Sequence, residues 1–501
     1  MTIAIPSHRE GVALPDFVDM AAIAHPHTVA LSFGAERWTF STLQQSVASA
    51  ATLLSTAGES LGRIGILSAS RPGYVIATHA AARSAVSFVP LNWRQTPEEL
   101  AWQIRSANIR TLIVDGPRAS AAEAATASDP LVLLDIAQFE QAPGQVVAMP
   151  PAPPIHLDRE AAIIFTSGTS GRPKGARITY GNLWFAAIGS SLHLGHSSHD
   201  IWLAAMPLFH IGGLAMLYRG LIGGNELILQ ERFDPDRALT AIDNGATMVS
   251  LVPAMLRRMI DRRPVPWPHT LRRILLGGGP APISLIQDAL RLGLPIAPTY
   301  GLTESTSQVA TLDPSDLPRK LGSSGIPLPT TAVRIVDGTR MLPPGQIGEI
   351  EVSGPTIFAG YLEGPSRLDA ESGRWFATGD AGYLDDDGYL FVEDRRDDLI
   401  VSGGENVYPA EIERVLIEHP LVRDAGVVAL PNEEWGSRPI AAVVWDGVSE
   451  SAEATLWEHC RGRLAAYKIP DRFILLSAIP RSPAGKLLRR SLRAMLTSKE
   501  E

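Results

Sequence analysis

The chain of 501 residues contains one cysteine, Cys460. A lone thiol excludes an internal disulfide framework and any metal site built from cysteines. Long apolar runs are missing as well. The stretch from Tyr74 to Leu91 comes nearest to the roughly 18 residues of a membrane-spanning helix, but His79 and Arg83 interrupt it. The opening residues, MTIAIPSHREG, lack the basic start and apolar core of a secretory signal, and none is expected. Positive charge is not in excess either. The net charge is −9 with acids and bases interspersed, which leaves no electrostatic footprint for nucleic acid or an anionic membrane. No internal repeat or low-complexity tract stands out. An ordinary apolar content of 45% and this length point to a cytoplasmic globular protein of roughly two to four domains. Homo-oligomerisation is left open.

Up to about residue 300 short apolar runs alternate with helical patterns. Gly62–Ser68 reads as a strand, Gly73–Arg83 as a helix, Ala85–Leu91 as a strand, Pro97–Ala107 as a helix and Arg110–Asp115 as a strand. A second series begins at Ile201–Pro207 and runs through Ile211–Leu221, Glu226–Leu229, Pro235–Asn244, Thr247–Val252, Leu271–Leu276 and Ile283–Leu292 to Ile296–Tyr300. Such alternation predicts parallel sheets covered by helices on both faces. The proline-rich Ala142–Pro154 between the two series suits an extended connection. From about Pro327 short strands and turns predict a small β-rich subdomain, and after Asp394 a separate α+β unit of about 100 residues follows. The expected fold is α/β. It comprises a large N-terminal domain, 1–396, of two helix-covered sheets plus the β-rich subdomain, then a mobile α+β C-terminal domain, 397–501.

Three polar, glycine-rich turns follow apolar strands, where open α/β sheets bind ligands. The first, Thr166 to Lys174, reads TSGTSGRPK: hydroxyls, glycines and one lysine, the chemistry of a phosphate cradle. It is not the common phosphate loop, because Gly175 stands where that loop needs a magnesium-binding Ser or Thr. The second, Gly277-Gly278-Gly279-Pro280, lets backbone approach a flat ring. The third, Thr299 to Glu304, offers the Tyr300 ring for stacking and the Glu304 carboxylate as a hard oxygen for Mg²⁺. Singly, each has a plainer reading, a helix-capping turn, a core tyrosine or a solvated glutamate, and in isolation the plainer reading is favoured.

Their order, with four further segments, resembles the adenylate-forming superfamily of acyl-CoA synthetases, luciferases and peptide-synthetase adenylation domains. The segments are TSGTSGRPKG, PLFH ending at His210, GGGPAP, YGLTE, TGD from Thr378, DRRDDLIVSGGENVYPAEIE from Asp394 and PRSPAGK ending at Lys486. The resemblance implies an AMP-forming acid–thiol ligase that uses ATP, Mg²⁺ and coenzyme A. It implies ATP-binding roles for Thr166, Ser167, Gly168, Thr169, Ser170, Gly171, Lys174, Gly277, Gly278, Gly279, Pro280, Thr299, Tyr300, Gly301, Thr303, Asp380 and Arg395. Glu304 and Thr166 would hold the metal, Lys486 would reach the acyl oxygen and α-phosphate, and Asp397 would be the hinge of a rotating C-terminal domain. Gly403 and Gly404 would line the pantetheine path, with Trp435 against the CoA adenine. Only 15 residues follow Lys486, so free CoA rather than a fused carrier domain is the expected thiol.

Within the superfamily the segments MPLFHIGGL, ILLGGGPAP, YGLTESTSQVATL and KLGSSGIPL are most similar to the 2-succinylbenzoate–CoA ligases of menaquinone synthesis. Such an acid keeps a second carboxylate after activation, so its pocket needs hydrogen-bond donors. His210, Ser307 and Gln308 are the acid-binding candidates, and His210 is also counted with Lys486 and Glu304 as catalytic. Arg219 is a further cation whose direction the helical pattern leaves open. Two alternatives remain: a CoA ligase for another small aromatic, dicarboxylic or fatty acid, and a non-catalytic nucleotide-binding protein of the same fold.

Overall fold

The structure is a computed structural model describing residues 11–56, 62–129, 131–140, 152–166, 173–279, 281–363, 368–369, 375–394, 400–446, 448, 451–481 and 487–497. Ser167, Gly168, Thr169, Ser170, Gly171, Pro280, Arg395, Asp397 and Lys486 lie outside the described residues, as do residues 142–151 of the proline-rich connection. The chain is α/β and divides into two compact units. One comprises Met1–Trp93, Ile104–Ile164 and Gly175–Glu393, the other Arg94–Gln103, Phe165–Lys174 and Asp394–Glu501.

In the larger unit, the strand Arg63–Leu67 lies between Ser87–Pro90 and Ile109–Val114 and is parallel to both. Its sequence, RIGIL, is buried from Ile64 onward. That continuous burial follows from helices covering both faces of a parallel sheet. The six-stranded sheet is completed by Val132–Asp135 at one edge and by Glu160–Thr166 and Lys174–Thr179 at the other.

The second sheet has nine strands. Ile296–Tyr300, Arg273–Leu276, Met248–Leu251, Ile201–Ala204, Glu226–Leu229 and Val29–Phe33 run parallel in that order. Both edges depart from the all-parallel expectation. Glu36–Thr39 returns antiparallel on Val29–Phe33, and Ala310–Thr311 and Ile326–Pro327 extend the other edge antiparallel. A short return suffices for an antiparallel neighbour, whereas a parallel one needs a crossover of a dozen or more residues.

Two helices of this unit bear on the site. Tyr180–Leu194 opens with a reciprocal Thr179–Asn182 capping box and ends at Gly195 in the left-handed region, φ 63°. Ile211–Gly223 is buried over nearly its whole length, Arg219 included. The β-rich part pairs Ala332–Asp337, Gly348–Ser353 and Trp375–Leu384 antiparallel.

In the smaller unit, Gly436–Trp445 pairs antiparallel with Val422–Asn432 and parallel with Arg472–Leu475. Alternate residues serve two cores, as the period-2 geometry of a strand requires. Val427, Ala441 and Val443 pack with Ile412 and Leu416 of Pro409–Ile417 and with Leu456 and Cys460 of Ala452–Arg461. Val428, Leu430 and Ile440 pack instead with Leu492 and Leu496 of Arg489–Thr497.

Candidate active site

The parallel strands Arg273–Leu276 and Ile296–Tyr300 end side by side, with Leu276 opposite Pro298. Their carboxyl ends therefore deliver two of the predicted turns to one place, the position where α/β sheets bind ligands. Gly278 has φ 78°, and a Cβ on Gly277 would come within 2.7 Å of Thr299 Cγ2. Thr299 turns its hydroxyl to Ala310 O, 2.8 Å. At Gly301 the constraint is absolute, since a Cβ would lie 1.6 Å from Ser307 O.

Residues 301–307 fold back on themselves. The Ser307 N–H donates to Leu302 O at 3.2 Å, and the Val309 N–H donates to Tyr300 O at 2.8 Å. The return forces positive φ on two residues that are not glycine, Thr306 at 56° and Ser307 at 96°. Such strain persists only where its surroundings impose it, and it clusters at functional sites. Here it presents Ser307 Oγ to Arg219, whose guanidinium donates to it at 3.1 Å.

Arg219 is 1% exposed and lies over the Trp202 ring, 5.5 Å from its centroid. Its Nε has no hydrogen-bond partner among the described residues. No described carboxylate pairs with it, and burial alone pulls its pKa down to about 10, which leaves it charged at neutral pH. Gln308, next to Ser307 in the chain, is also buried. Its amide nitrogen donates to Thr311 Oγ1 at 2.8 Å, and its Oε1 lacks a partner.

Two carboxylates of the predicted site, Asp380 and Glu304, are each met by a tyrosine. The buried Tyr300 hydroxyl donates to Asp380 Oδ2 at 2.7 Å. The Tyr361 hydroxyl donates to Glu304 Oε1 at 2.6 Å. Thr303 and Glu304 form a short 3₁₀ turn with Ser305. The Asp380 N–H also donates to Thr378 Oγ1, 3.1 Å, which fixes the TGD turn beneath the carboxylate. His210 caps the helix Ile211–Gly223, its ring 4.6 Å from that of Phe209. Phe209 in turn meets Trp93 edge-on, and Arg118 lies over the Trp93 ring.

In the smaller unit, Thr166 ends its strand with its hydroxyl 3.4 Å from Lys174 O, across the loop whose centre lies outside the described residues. Gly403 and Gly404 both have positive φ, 59° and 87°. A Cβ on Gly403 would come 2.4 Å from Trp435 Cε3, so the indole lying against it requires glycine there independently of φ. The Trp435 ring remains 43% exposed, with Arg438 6.0 Å from its centroid.

Among the described residues no three His, Cys, Asp or Glu side chains form a metal-holding group. Glu304 offers hard carboxylate oxygens, and Tyr361, which donates to one of them, is a neutral phenol. That chemistry fits Mg²⁺, which is usually held by one or two carboxylates together with substrate phosphates. Of these contacts, sequence reasoning missed Tyr361 and Trp202 and left Arg219 undirected. A lone arginine inside the apolar LAMLYRGLI run was the available signal for Arg219. Tyr361 had none, because its partner is 57 residues away in the chain.

Glycine-rich turns at the ends of parallel strands, with a metal-suited glutamate, define a nucleotide-binding enzyme site. The chain belongs to the AMP-binding enzyme family, whose model matches residues 18–362, and the AMP-binding enzyme C-terminal domain matches 411–486. It is 41% identical to the 2-succinylbenzoate–CoA ligase of Geobacillus kaustophilus, over 97% of this chain and 99% of that one. The o-succinylbenzoate CoA synthetase MenE of Bacillus subtilis, bound with its product analogue OSB-NCoA in a double mutant, superimposes with a TM-score of 0.89. The identity is 35%, over 96% of this chain and 98% of that one. The same Bacillus protein has been solved with the acyl-adenylate intermediate OSB-AMP, TM-score 0.73 at 35% identity, and with ATP and magnesium ion, TM-score 0.73 at 34% identity. Those two cover 98% and 100% of the Bacillus chain and 96% of this one.

Proposed function

We propose that this protein is an ATP-dependent 2-succinylbenzoate–CoA ligase working in the cytoplasm, where ATP and CoA are supplied. A carboxylate oxygen of the acid attacks the α-phosphorus of ATP and pyrophosphate leaves, giving an acyl-adenylate. The CoA thiol, losing its proton, then attacks the acyl carbon and AMP leaves. The substrates of the first step are both anions, so the site must supply positive charge and alignment.

In this reading Lys174 and the loop residues Thr166, Ser167, Gly168, Thr169, Ser170 and Gly171 hold the ATP phosphates. Gly277, Gly278, Gly279, Pro280, Thr299, Tyr300, Gly301 and Thr303 cradle the adenine and its sugar, and Asp380 and Arg395 take the ribose hydroxyls. Glu304 and Thr166 hold Mg²⁺, which when bound neutralises phosphate charge. Lys486 stabilises charge on the acyl oxygen and α-phosphate. The boundary falls at the hinge Asp397, between 1–396 and 397–501. Gly403 and Gly404 flank the pantetheine path, and Trp435 offers its exposed face to the CoA adenine.

What carries the choice of acid is the buried Arg219. A guanidinium with no carboxylate partner among the described residues, and among them hydrogen-bonded through Ser307, is an anion receptor inside the unit that also holds His210. An acid with a second carboxylate supplies that anion, and a plain fatty or aryl acid leaves the cation unpaired. Pyrophosphate release over a panel of acids, with and without CoA, tests this directly. 2-Succinylbenzoate should exceed benzoate and octanoate by about 10²-fold or more, because sites built to bind a polar group reject analogues lacking it. Thioester should form only with CoA. A tenfold preference for octanoate or benzoate overturns the acid assignment, and ATP binding without pyrophosphate release from any acid overturns the enzyme assignment.

A further inference from the structure

We propose that Tyr361 is a positioning residue of the adenylation step, its hydroxyl holding the Glu304 carboxylate in the orientation that receives the Mg²⁺ of ATP. The inference rests on the metal-binding role proposed for Glu304. A glutamate side chain has three torsions, and fixing them costs rotamer entropy each time a ligand binds unless the fold has already fixed them. Tyr361 does so through its phenol, 2.6 Å from Glu304 Oε1. As a neutral donor the phenol orients the carboxylate without adding a positive charge of its own.

The tyrosine is itself held from several sides. Its backbone forms an antiparallel bridge with Ala176, on the strand leaving the hydroxyl–glycine loop. Around that bridge the Ala359 N–H donates to Arg177 O, the Arg177 N–H to Gly360 O, and the Leu362 N–H to Gly175 O, all at 2.8–2.9 Å. The Phe358 N–H donates to Glu304 O at 2.9 Å, so the two segments are joined by backbone as well as side chain. Upstream, the Asn182 amide donates to Pro355 O and Ile357 O at 3.0 and 2.6 Å, and Thr306 Oγ1 donates to Thr356 O at 2.7 Å. The Tyr361 ring packs edge-on against Phe358, 4.8 Å between centroids, and Phe358 packs against Phe376 at 5.2 Å. These contacts hold the backbone and the ring that carry the hydroxyl. They also couple the glutamate to the strand that follows the phosphate-binding loop, so both are set by one piece of backbone.

Tyr361→Phe keeps the ring on Phe358 and deletes only the hydroxyl. The readout is calorimetric binding of ATP at a series of Mg²⁺ concentrations without acid or CoA, so no turnover enters. Losing a partner that orients a metal ligand typically weakens metal binding by about 10–100-fold, and the half-saturating Mg²⁺ should rise by about tenfold. The affinity for AMP without Mg²⁺ and the Tm should not change. In a Glu304→Gln background the same substitution should add nothing further, because the hydroxyl acts through that carboxylate. An unchanged Mg²⁺ requirement in Tyr361→Phe while Glu304→Gln raises it overturns the positioning role alone. If Glu304→Gln also leaves the requirement unchanged, the metal role of Glu304 falls with it. An equal loss of AMP affinity, or additivity in the double variant, assigns the hydroxyl to general packing and overturns the proposal.

Discussion

Each of the two units buries one long cation almost completely, and the two are treated in opposite ways. In the smaller unit Lys468, 2% exposed, sits between Glu99 Oε1 at 2.6 Å and Glu411 Oε1 at 2.8 Å. Burial works against its ammonium, but Glu411 and Glu99 outweigh that and hold its pKa above the ordinary lysine value. In the larger unit Arg219, 1% exposed, meets a serine hydroxyl and a tryptophan face, and no described carboxylate. A buried cation supplied with its own anions belongs to the architecture, because removing it strands the anions. In the proposed function, a buried cation kept charged without one receives an anion that arrives from outside. Guanidinium suits that task, since it is weakly hydrated, stays charged and matches a carboxylate with two parallel donors.

The largest effect expected is at a third cation, Lys486, whose work in the proposed mechanism is transient. Lys486→Ala should slow adenylate formation by about 10²-fold or more, as losing one preorganised donor at a developing charge does. It should leave ATP affinity nearly intact. Thioester formation from supplied acyl-adenylate and CoA should survive, and single-turnover assays of each half-reaction check both statements. A parallel fall in the two halves breaks the idea that this lysine serves only the first.

Lys468→Met sharpens the architectural side of the comparison. With Glu99 and Glu411 left facing each other in the interior, stability should fall by about 3–5 kcal/mol, read from the urea unfolding midpoint. A loss below about 1 kcal/mol would place the ion pairs among those that contribute little.

Arg219→Leu tests the other side. It replaces a buried, unpaired cation with an apolar side chain, so stability should hold or rise. Activity on 2-succinylbenzoate should nevertheless fall by about 10²-fold in kcat/KM, with little change for benzoate. A fall in Tm with unchanged acid preference would make Arg219 another structural cation and remove the contrast.

The smallest effect is reserved for Trp435→Ala, which removes a half-exposed face and should raise KM for CoA by about tenfold, the value of a stacked aromatic contact of ~1.4 kcal/mol. Pyrophosphate release in the absence of CoA should be untouched. This variant isolates the CoA contact better than a substitution at Gly404, where φ of 87° would strain any side chain whatever the ligand.

Most of the secondary structure was legible along the chain because its signals are local. Glu226–Leu229 and Ile296–Tyr300 were read at their observed bounds, and the other strands named from the sequence to within a few residues, whereas Val29–Phe33 and Glu36–Thr39 were not read. Trp375–Leu384 was not read as one strand, because its ATGDAG centre carries little alternation and its partner, Gly348–Ser353, imposes the pairing. In the site, the glycine turns could be read because close backbone approach excludes a Cβ, and Gly301 against Ser307 O is the plainest case.

What the sequence alone determined, then, is the alternation of strands and helices, the positions of the turns and the residue types gathered in them, since each depends on neighbours within a few residues. The tertiary structure alone decided that Val29–Phe33 and Glu36–Thr39 join a sheet whose remaining strands begin at Ile201, because strand order is not encoded in periods of 2 or 3.6. It likewise decided that Arg219 meets Ser307 across 88 residues, and that Tyr361 reaches Glu304 across 57. Hydrogen bonds of that kind exist only once the strands are ordered and the turn at Thr306 and Ser307 is held in its strained form. A local pattern cannot announce them, since the energy that maintains that strain comes from the packing of distant segments.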